Sequence, residues 1–218
     1  MVKIKEKVDI IIVHGRSTKE LIKLCVKTIT NGTTYPYSVL VINNNSEQDL
    51  HFDNPNIKVI TPKENLGYVG GIQEGLKHSN SKFFVYANDD ILMSEGWLTK
   101  MMAHFKSNVG AVGSTSDVVL GRQHIRYNLY PDHREEEAQF LVGFCMLLRR
   151  KAYDEAGGQD KQLFSGEDID LSLRLREKGW KLIIARDVFI KHLGGRTFSF
   201  QKLNESGMKK LISKHGQE

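Results

Sequence analysis

Two acid-rich clusters, a glycine-rich loop and a late histidine hold the residues of this chain best suited to chemistry. Asn88-Asp89-Asp90 follows directly on the apolar run Phe83-Phe84-Val85-Tyr86-Ala87. Buried strands of α/β proteins read as short apolar runs, and ligands gather at their carboxyl ends. Two adjacent carboxylates repel each other unless a cation or hydrogen bonds hold them. Hard divalent cations that carry substrate phosphates commonly take one or two carboxylates. The triplet is thus a candidate metal–diphosphate site. A plain polar turn is the competing reading, because Asn and Asp bond their own backbone there.

Ser165-Gly166-Glu167-Asp168-Ile169-Asp170 opens an expected helix. Ser165 and Asp168 fit a variant capping box, and acids in a first turn suit the helix dipole. Capping accounts for one or two acids, not three within four positions. Such a cluster can supply a general base tuned by its neighbours. Asn65-Leu66-Gly67-Tyr68-Val69-Gly70-Gly71 joins a loop to a helix, where glycine lets a ligand approach the backbone. It matches neither standard nucleotide fingerprint, so a tight structural turn is the simpler reading. His192-Leu193-Gly194-Gly195-Arg196 sets a histidine at a strand end before a glycine pair, with an arginine suited to phosphate.

The elements that must position these residues alternate. Residues 8–13, 37–42, 57–60 and 83–87 read as strands, and 18–30, 69–78 and the segment holding Trp97, Met101, Met102 and Phe105 as helices. Strands alternating with helices predict a parallel sheet with crossovers. Residues 111–113 continue the sheet. Residues 116–138 form a polar excursion, 140–148 a long apolar strand, 167–178 a helix, and 180–185 and 188–192 two short strands. The tail beyond Gly194 is polar. The expectation is one fused unit over 1–218: a nucleotide half over about 8–90, an acceptor half over about 91–198, and a tail over 199–218.

The chain has 218 residues, of which 40% are hydrophobic and 26% charged, a balance suited to a packed core in water. No apolar run approaches membrane-spanning length, and residues 1–7 lack the apolar centre of a signal peptide. Cys25 and Cys145 both lie in apolar surroundings and read as buried thiols. A cytoplasmic protein follows, with a peripheral place at the inner membrane face as a variant. The net charge of +5 suits an anionic substrate such as a nucleotide sugar, an anionic membrane or DNA. Residues 208–215 read as a short basic amphipathic helix.

In order, these pieces resemble the family-two glycosyltransferases of the GT-A fold. The resemblance runs over about residues 8–198. It rests on Ile10-Ile11-Ile12-Val13, Val39-Leu40-Val41-Ile42-Asn43-Asn44-Asn45-Ser46, Glu64-Asn65-Leu66-Gly67 and Asn88-Asp89-Asp90. It continues through Phe140-Leu141-Val142-Gly143-Phe144, Glu167-Asp168-Ile169-Asp170-Leu171 and His192. The Asn-Leu-Gly and Glu-Asp-x-Asp pieces look most like the rhamnosyl- and galactofuranosyl-transferase branch. The resemblance implies a Rossmann-like, mostly parallel sheet flanked by helices, with a smaller acceptor-side region.

It also implies roles. Asp90 would ligate Mn²⁺ or Mg²⁺ at the "DXD" position, with His192 as a further ligand. Asp89 would lie beside it and Asn88 would face the ribose, although the family often has Asp at that position. His14 and Gly15 would line the base pocket. Asn43 stands where many members carry an Asp that pairs with the base, and Asn45 belongs to the same turn. Asn65 and Gly67 would sit against the nucleotide, Gly143 would leave room for the sugar, and Arg196 would pair with phosphate. Asp168 matches the catalytic base of an inverting transfer from a nucleoside-diphosphate donor to a hydroxyl acceptor, a glycan or a lipid-linked sugar among others. Trp97 borders the acceptor site or lies in the core. The rivals are a nucleotidyltransferase, a basic nucleic-acid-binding protein, a transferase acting on modified DNA bases and an inactive relative. His14-Gly15-Arg16-Ser17 is too poor in glycine for a nucleotidyltransferase loop, and no zinc spacing or RNA-binding aromatic signature is present.

Overall fold

The computed structural model describes residues 6–45, 47–128, 132–163, 165–194, 210 and 213–216. The chain opens with β1 (Val8–His14), all seven residues buried. Its side chains alternate between two cores. Ile10 and Ile12 join one cluster, and Ile11 and Val13 the other, as the two-residue repeat of a strand covered on both faces requires. Helix α1 (Lys19–Asn31) starts at Thr18, whose hydroxyl accepts from Leu21 N. It lays Ile22, Cys25, Val26 and Ile29 on the first face.

Then come β2 (Tyr37–Asn43), β3 (Ile57–Ile60), α2 (Gly67–Lys77) and β4 (Phe83–Ala87). Helix α2 covers the second face so closely that glycine is needed. A Cβ on Gly71 would sit 2.7 Å from Val13, and one on Gly75 2.6 Å from Ile11. Glycine in this stretch therefore serves helix–sheet packing. β5 (Ile91–Met93), α3 (Trp97–Ala103), β6 (Val109–Thr115), β7 (Glu135–Ala138), β8 (Cys145–Arg149), α4 (Arg150–Glu155), α5 (Glu167–Glu177) and β9 (Lys181–His192) complete the described elements.

The nine strands form one sheet in the order β3-β2-β1-β4-β8-β6-β9-β5, with β7 also on β9. The N-terminal four strands are parallel, as expected. The expected mostly parallel sheet is corrected beyond them. β8 runs antiparallel to both β4 and β6, and β9 is antiparallel to both β5 and β7. Only β6–β9 returns to parallel. The sheet is therefore mixed, because β8 inserts between β4 and β6 in the reverse sense.

Other expectations change with it. The long strand over 140–148 shortens to β8, because the N–H groups of 141–143 bond side chains instead of a strand. Leu141 N donates to Ser172 Oγ, Val142 N to Gln123 Oε1 and Gly143 N to Asp168 Oδ2. The two strands over 180–192 are one strand with an irregularity, where pairing slips from Ser114–Ala185 to Thr115–Phe189. The 116–138 excursion holds two single-turn helices, Gly121–Gln123 and Ile125–Tyr127, and ends in β7. β5 and α4 were not legible. Trp97 is fully buried in the core, and Cys25 and Cys145 are buried free thiols. Among the described residues no helix is long and apolar enough to cross a membrane.

Candidate active site

Asn88, Asp89 and Asp90 form the link between β4 and β5. Strand β5 pairs antiparallel with the end of β9, so Ile91 faces His192, and Leu193 N donates to Asp90 O at 2.9 Å. This pairing brings together residues more than 100 positions apart. Asp90 Oδ1 lies 3.3 Å from His192 Nε2, and Asn88 Nδ2 lies 3.3 Å from the same nitrogen. The His192 ring stacks on Phe144, with centroids 5.3 Å apart.

His192 Nδ1 donates to the carbonyl of Val118 at 2.7 Å. A carbonyl only accepts, so this nitrogen carries a hydrogen. In the neutral ring Nε2 then turns a lone pair toward a carboxylate oxygen. Asp90 Oδ1 is buried and receives no hydrogen bond. Two electron-pair donors facing each other require a proton or a cation between them. Burial acts to lower the His192 pKa, yet Asp90, the Val118 carbonyl and Asp117 together raise it above the ordinary value. Among the described residues no group of three or more His, Cys, Asp or Glu could hold a metal. One carboxylate and one imidazole, fixed through its other nitrogen, nevertheless fit a divalent cation that shares its remaining positions with phosphate and water.

Asp89 faces the other way. Its Oδ2 accepts from Ser17 Oγ at 2.6 Å, His14 Nδ1 at 2.8 Å and Gly15 N at 3.2 Å. His14 is fully buried, and its Nε2 meets Gln48 Oε1 at 3.1 Å. The ring therefore braces Asp89 from within the fold. Gly15, half-buried, is held by the same carboxylate. Asn43 is buried as well, with Nδ2 donating to Gln48 O and Oδ1 accepting from Asn45 N. Its amide is spent on its own turn, with Asn45 half-buried beside it.

Asn44 carries a role that the sequence did not single out. Its side chain accepts from Leu66 N at 3.3 Å and donates to Gly67 O at 2.9 Å, tying the β2 end to the α2 entrance. Asn65 Oδ1 accepts from Gly67 N, and Gly67 takes a φ of 69°, which favours glycine. Both Asn65 and Gly67 are exposed.

At the second acid cluster the helix does not use the expected capping box. Its N-cap is Gly166, at a φ of 80° and without a side-chain cap. Asp168 turns away from that role. Its Oδ2 accepts from Gly143 N and its Oδ1 from Ile169 N, both at 2.8 Å. Burial raises the Asp168 pKa against the pull of these donors. Burial, and then the charge of Asp168, raises Glu167 to about 7. Asp170 is fully buried and differs from both. Arg174 pairs with it at 2.5 Å, His215 at 2.8 Å and Lys214 at 2.9 Å. Burial raises its pKa, but these partners leave it lowered overall.

Gly143 is closely packed. A Cβ there would lie 3.1 Å from Asp168 Cβ and 3.3 Å from Tyr86. Tyr68, also unexpected, donates to Gly143 O at 3.1 Å. Gly143 and Phe144 join the two clusters: Gly143 N holds Asp168, Phe144 O accepts from Asn88 N at 2.9 Å, and the Phe144 ring carries His192. Ser17, Gln48, Asn44, Tyr68 and Val118 all escaped sequence reasoning. Ser17, three positions after His14, Asn44, inside an asparagine run, and Tyr68, inside the glycine-rich loop, left a trace in the sequence. Arg196 lies outside the described residues.

Two solved structures are similar to this chain. One is GalNAc-T7 with UDP, GalNAc and Mn²⁺, with a TM-score of 0.76 and 12% identity over 97% of this chain and 48% of that one. Another is the mannosyltransferase PcManGT of Pyrobaculum calidifontis with GDP-Man and Mn²⁺, with a TM-score of 0.67 and 16% identity over 94% and 61%. They share the GT-A fold with this chain. An uncharacterized protein of Mycobacterium tuberculosis is 29% identical over 153 residues, which is 64% of this chain but only 59% of that relative. The family model for glycosyl transferase family 2 matches residues 10–157, stopping short of Asp168 and His192. That match covers most of the chain, which therefore belongs to glycosyl transferase family 2.

Proposed function

We propose that this chain transfers a glycosyl group from a nucleoside-diphosphate sugar to a hydroxyl acceptor, with inversion at the anomeric carbon. The observation that carries the reading is the junction at Gly143–Phe144. Through these two consecutive residues, a carboxylate–imidazole pair and a carboxylate of raised pKa are built onto one piece of backbone.

In this reading Asp90 and His192 Nε2 hold a divalent cation, Mn²⁺ or Mg²⁺. Once bound, the cation neutralises charge on the leaving diphosphate. The Val118 carbonyl, accepting from His192 Nδ1, fixes the tautomer and aim of the ring. Asp89, bonded to His14, Ser17 and Gly15, fixes the loop after β1. Asn88, half-buried, sets its amide nitrogen against His192 Nε2 and has its amide oxygen for a ribose hydroxyl. The exposed entrance at Asn65 and Gly67 suits the nucleotide side.

Asp168 takes the proton of the acceptor hydroxyl as that oxygen bonds to the anomeric carbon. The bond from that carbon to the diphosphate breaks, and its electron pair leaves with the phosphate. A single displacement of this kind inverts the centre. The raised pKa values of Glu167 and Asp168 suit a general base that works near neutral pH. The structural neighbours bind UDP or GDP-mannose with Mn²⁺, which supports the donor class in general.

The test is transfer itself. Purified protein is incubated with a panel of nucleotide sugars and hydroxyl acceptors, with Mn²⁺ or with EDTA, and products are read by mass spectrometry. The reading expects metal-dependent glycoside formation that Asp168→Asn abolishes. Transfer that survives both EDTA and Asp168→Asn would refute it. Nucleotidyl transfer from a nucleoside triphosphate to a sugar phosphate would support the rival instead.

A further inference from the structure

Seven large apolar side chains are exposed among the described residues, and five of them gather on one rim. Val118, Leu120 and Ile125 project from residues 118–126 and are 40%, 60% and 45% exposed. Val119 between them packs against the core, so its neighbours on the extended chain point outward. Phe140 lies against Gly121, 3.5 Å from a Cβ built there, and Gly194 abuts Val118, which places Leu193 at the same rim. Single exposed apolar residues are ordinary, but a gathered set marks a protein or membrane contact.

The rim is interleaved with positive charge. Residues 118–128 contain Arg122 and Arg126 and no acid. Arg122 is exposed and pairs with Glu136. Arg126 lies over the Tyr127 ring at 4.8 Å and donates to its hydroxyl, with no acidic partner among the described residues. Aliphatic, aromatic and arginine side chains in one exposed strip are what an interface between headgroups and acyl chains accepts. The basic tail is a poorer candidate, because Lys214 and His215 turn inward to Asp170. A second copy on this rim would set the arginines against one another.

We infer that residues 118–126, with Phe140 and Leu193, form a docking face for an anionic lipid surface. The Val118 carbonyl holds His192, so docking sets the Asp90–His192 end of the site beside the bilayer. This inference stands apart from sugar transfer, because lipid binding needs no donor.

The test is co-sedimentation of the full chain with vesicles of phosphatidylcholine, with or without about one quarter phosphatidylglycerol, in about 0.1 M salt, where the screening length is about 10 Å. The full chain is expected to partition about tenfold more to the anionic vesicles. The exposed double variant L120E/I125E should lose that binding with an unchanged melting temperature. R126E should weaken it about fivefold, as expected for a basic residue near a charged leaflet. The inference is overturned if the chain binds neither vesicle, binds both equally, or binds the anionic ones as well after L120E/I125E. A dimer in light scattering that L120E/I125E dissolves would assign the face to a second copy and overturn it too.

Discussion

The two acid clusters are built alike and end differently. Each pairs one carboxylate saturated by the fold with one that is not, and in the proposed reading the second does the work. At the β4–β5 link Asp89 takes three donors, while Asp90 keeps a buried oxygen with none. At the start of α5 Asp170 takes a guanidinium, an ammonium and an imidazole, while Asp168 takes only two backbone N–H groups. The difference lies in what stands beside the working acid. Asp90 faces an imidazole lone pair and has no donor, a setting that calls for a cation. Asp168 has backbone donors but no cation, and its charge is disfavoured by burial, a setting that calls for a proton. Adjacency in sequence therefore says little about shared work, because neighbouring side chains leave a strand end or a helix start in different directions.

Substitutions can break this contrast, the largest effect first. Asp168→Asn should lower transfer by about 10²–10⁴-fold, the usual share of general base catalysis, and leave donor binding intact. Progress curves alongside a binding isotherm would check both halves. Asp170→Asn should instead cost stability, about 1.5–3 kcal/mol, because it removes the buried carboxylate that Arg174, His215 and Lys214 share. Urea unfolding monitored by circular dichroism reads that loss directly. Equal stability loss in the two variants would erase the distinction between the working and the structural acid.

Gly143→Ala tests the junction. The added methyl must displace Asp168 or Tyr86, an overpacking cost of about 1–3 kcal/mol. Transfer should fall further than stability does, as seen by comparing turnover with the melting midpoint.

The smallest effects come from pH, and within the cluster at the start of α5 the two kinds of acid should differ in sign. Burial raises the Glu167 and Asp168 pKa values in the folded state. Their stabilising contribution is present below the ordinary carboxylate range and is lost as pH rises through the folded values, about 7 for Glu167. Transfer should rise over the same window as the base deprotonates, so activity grows while stability declines. Glu167→Gln should flatten the decline in a pH series of melting curves. The lowered Asp170 pKa has the opposite sense. Its contribution is present above the ordinary aspartate value and is lost as pH falls through the lower folded value.

Where the sequence was legible, periodicity was the reason. β1, β2, β4, α1 and α2 follow from apolar runs and helical spacing, because each buries a face in a parallel layer. Residues 140–144 misled for a physical reason: they are apolar and buried, but their backbone serves Ser172, Gln123 and Asp168 in place of a strand. At the site, residue types pointed to Asp90, Asp168 and His192, whereas directions did not follow from type. Nothing in Asn88-Asp89-Asp90 tells which aspartate turns inward to His14. Val118 acts through its carbonyl, which every residue possesses, so no side-chain motif could mark it.

The central claim is that Asp90, not Asp89, grips the cation that carries the diphosphate. Thermal shifts with a panel of nucleoside-diphosphate sugars, with and without Mn²⁺, test it most directly, since ligands bound to the native state raise its melting point. The account predicts a shift that needs both nucleotide and Mn²⁺, persists in Asp168→Asn and vanishes in Asp90→Ala. A Mn²⁺-dependent shift of undiminished size in Asp90→Ala would contradict it.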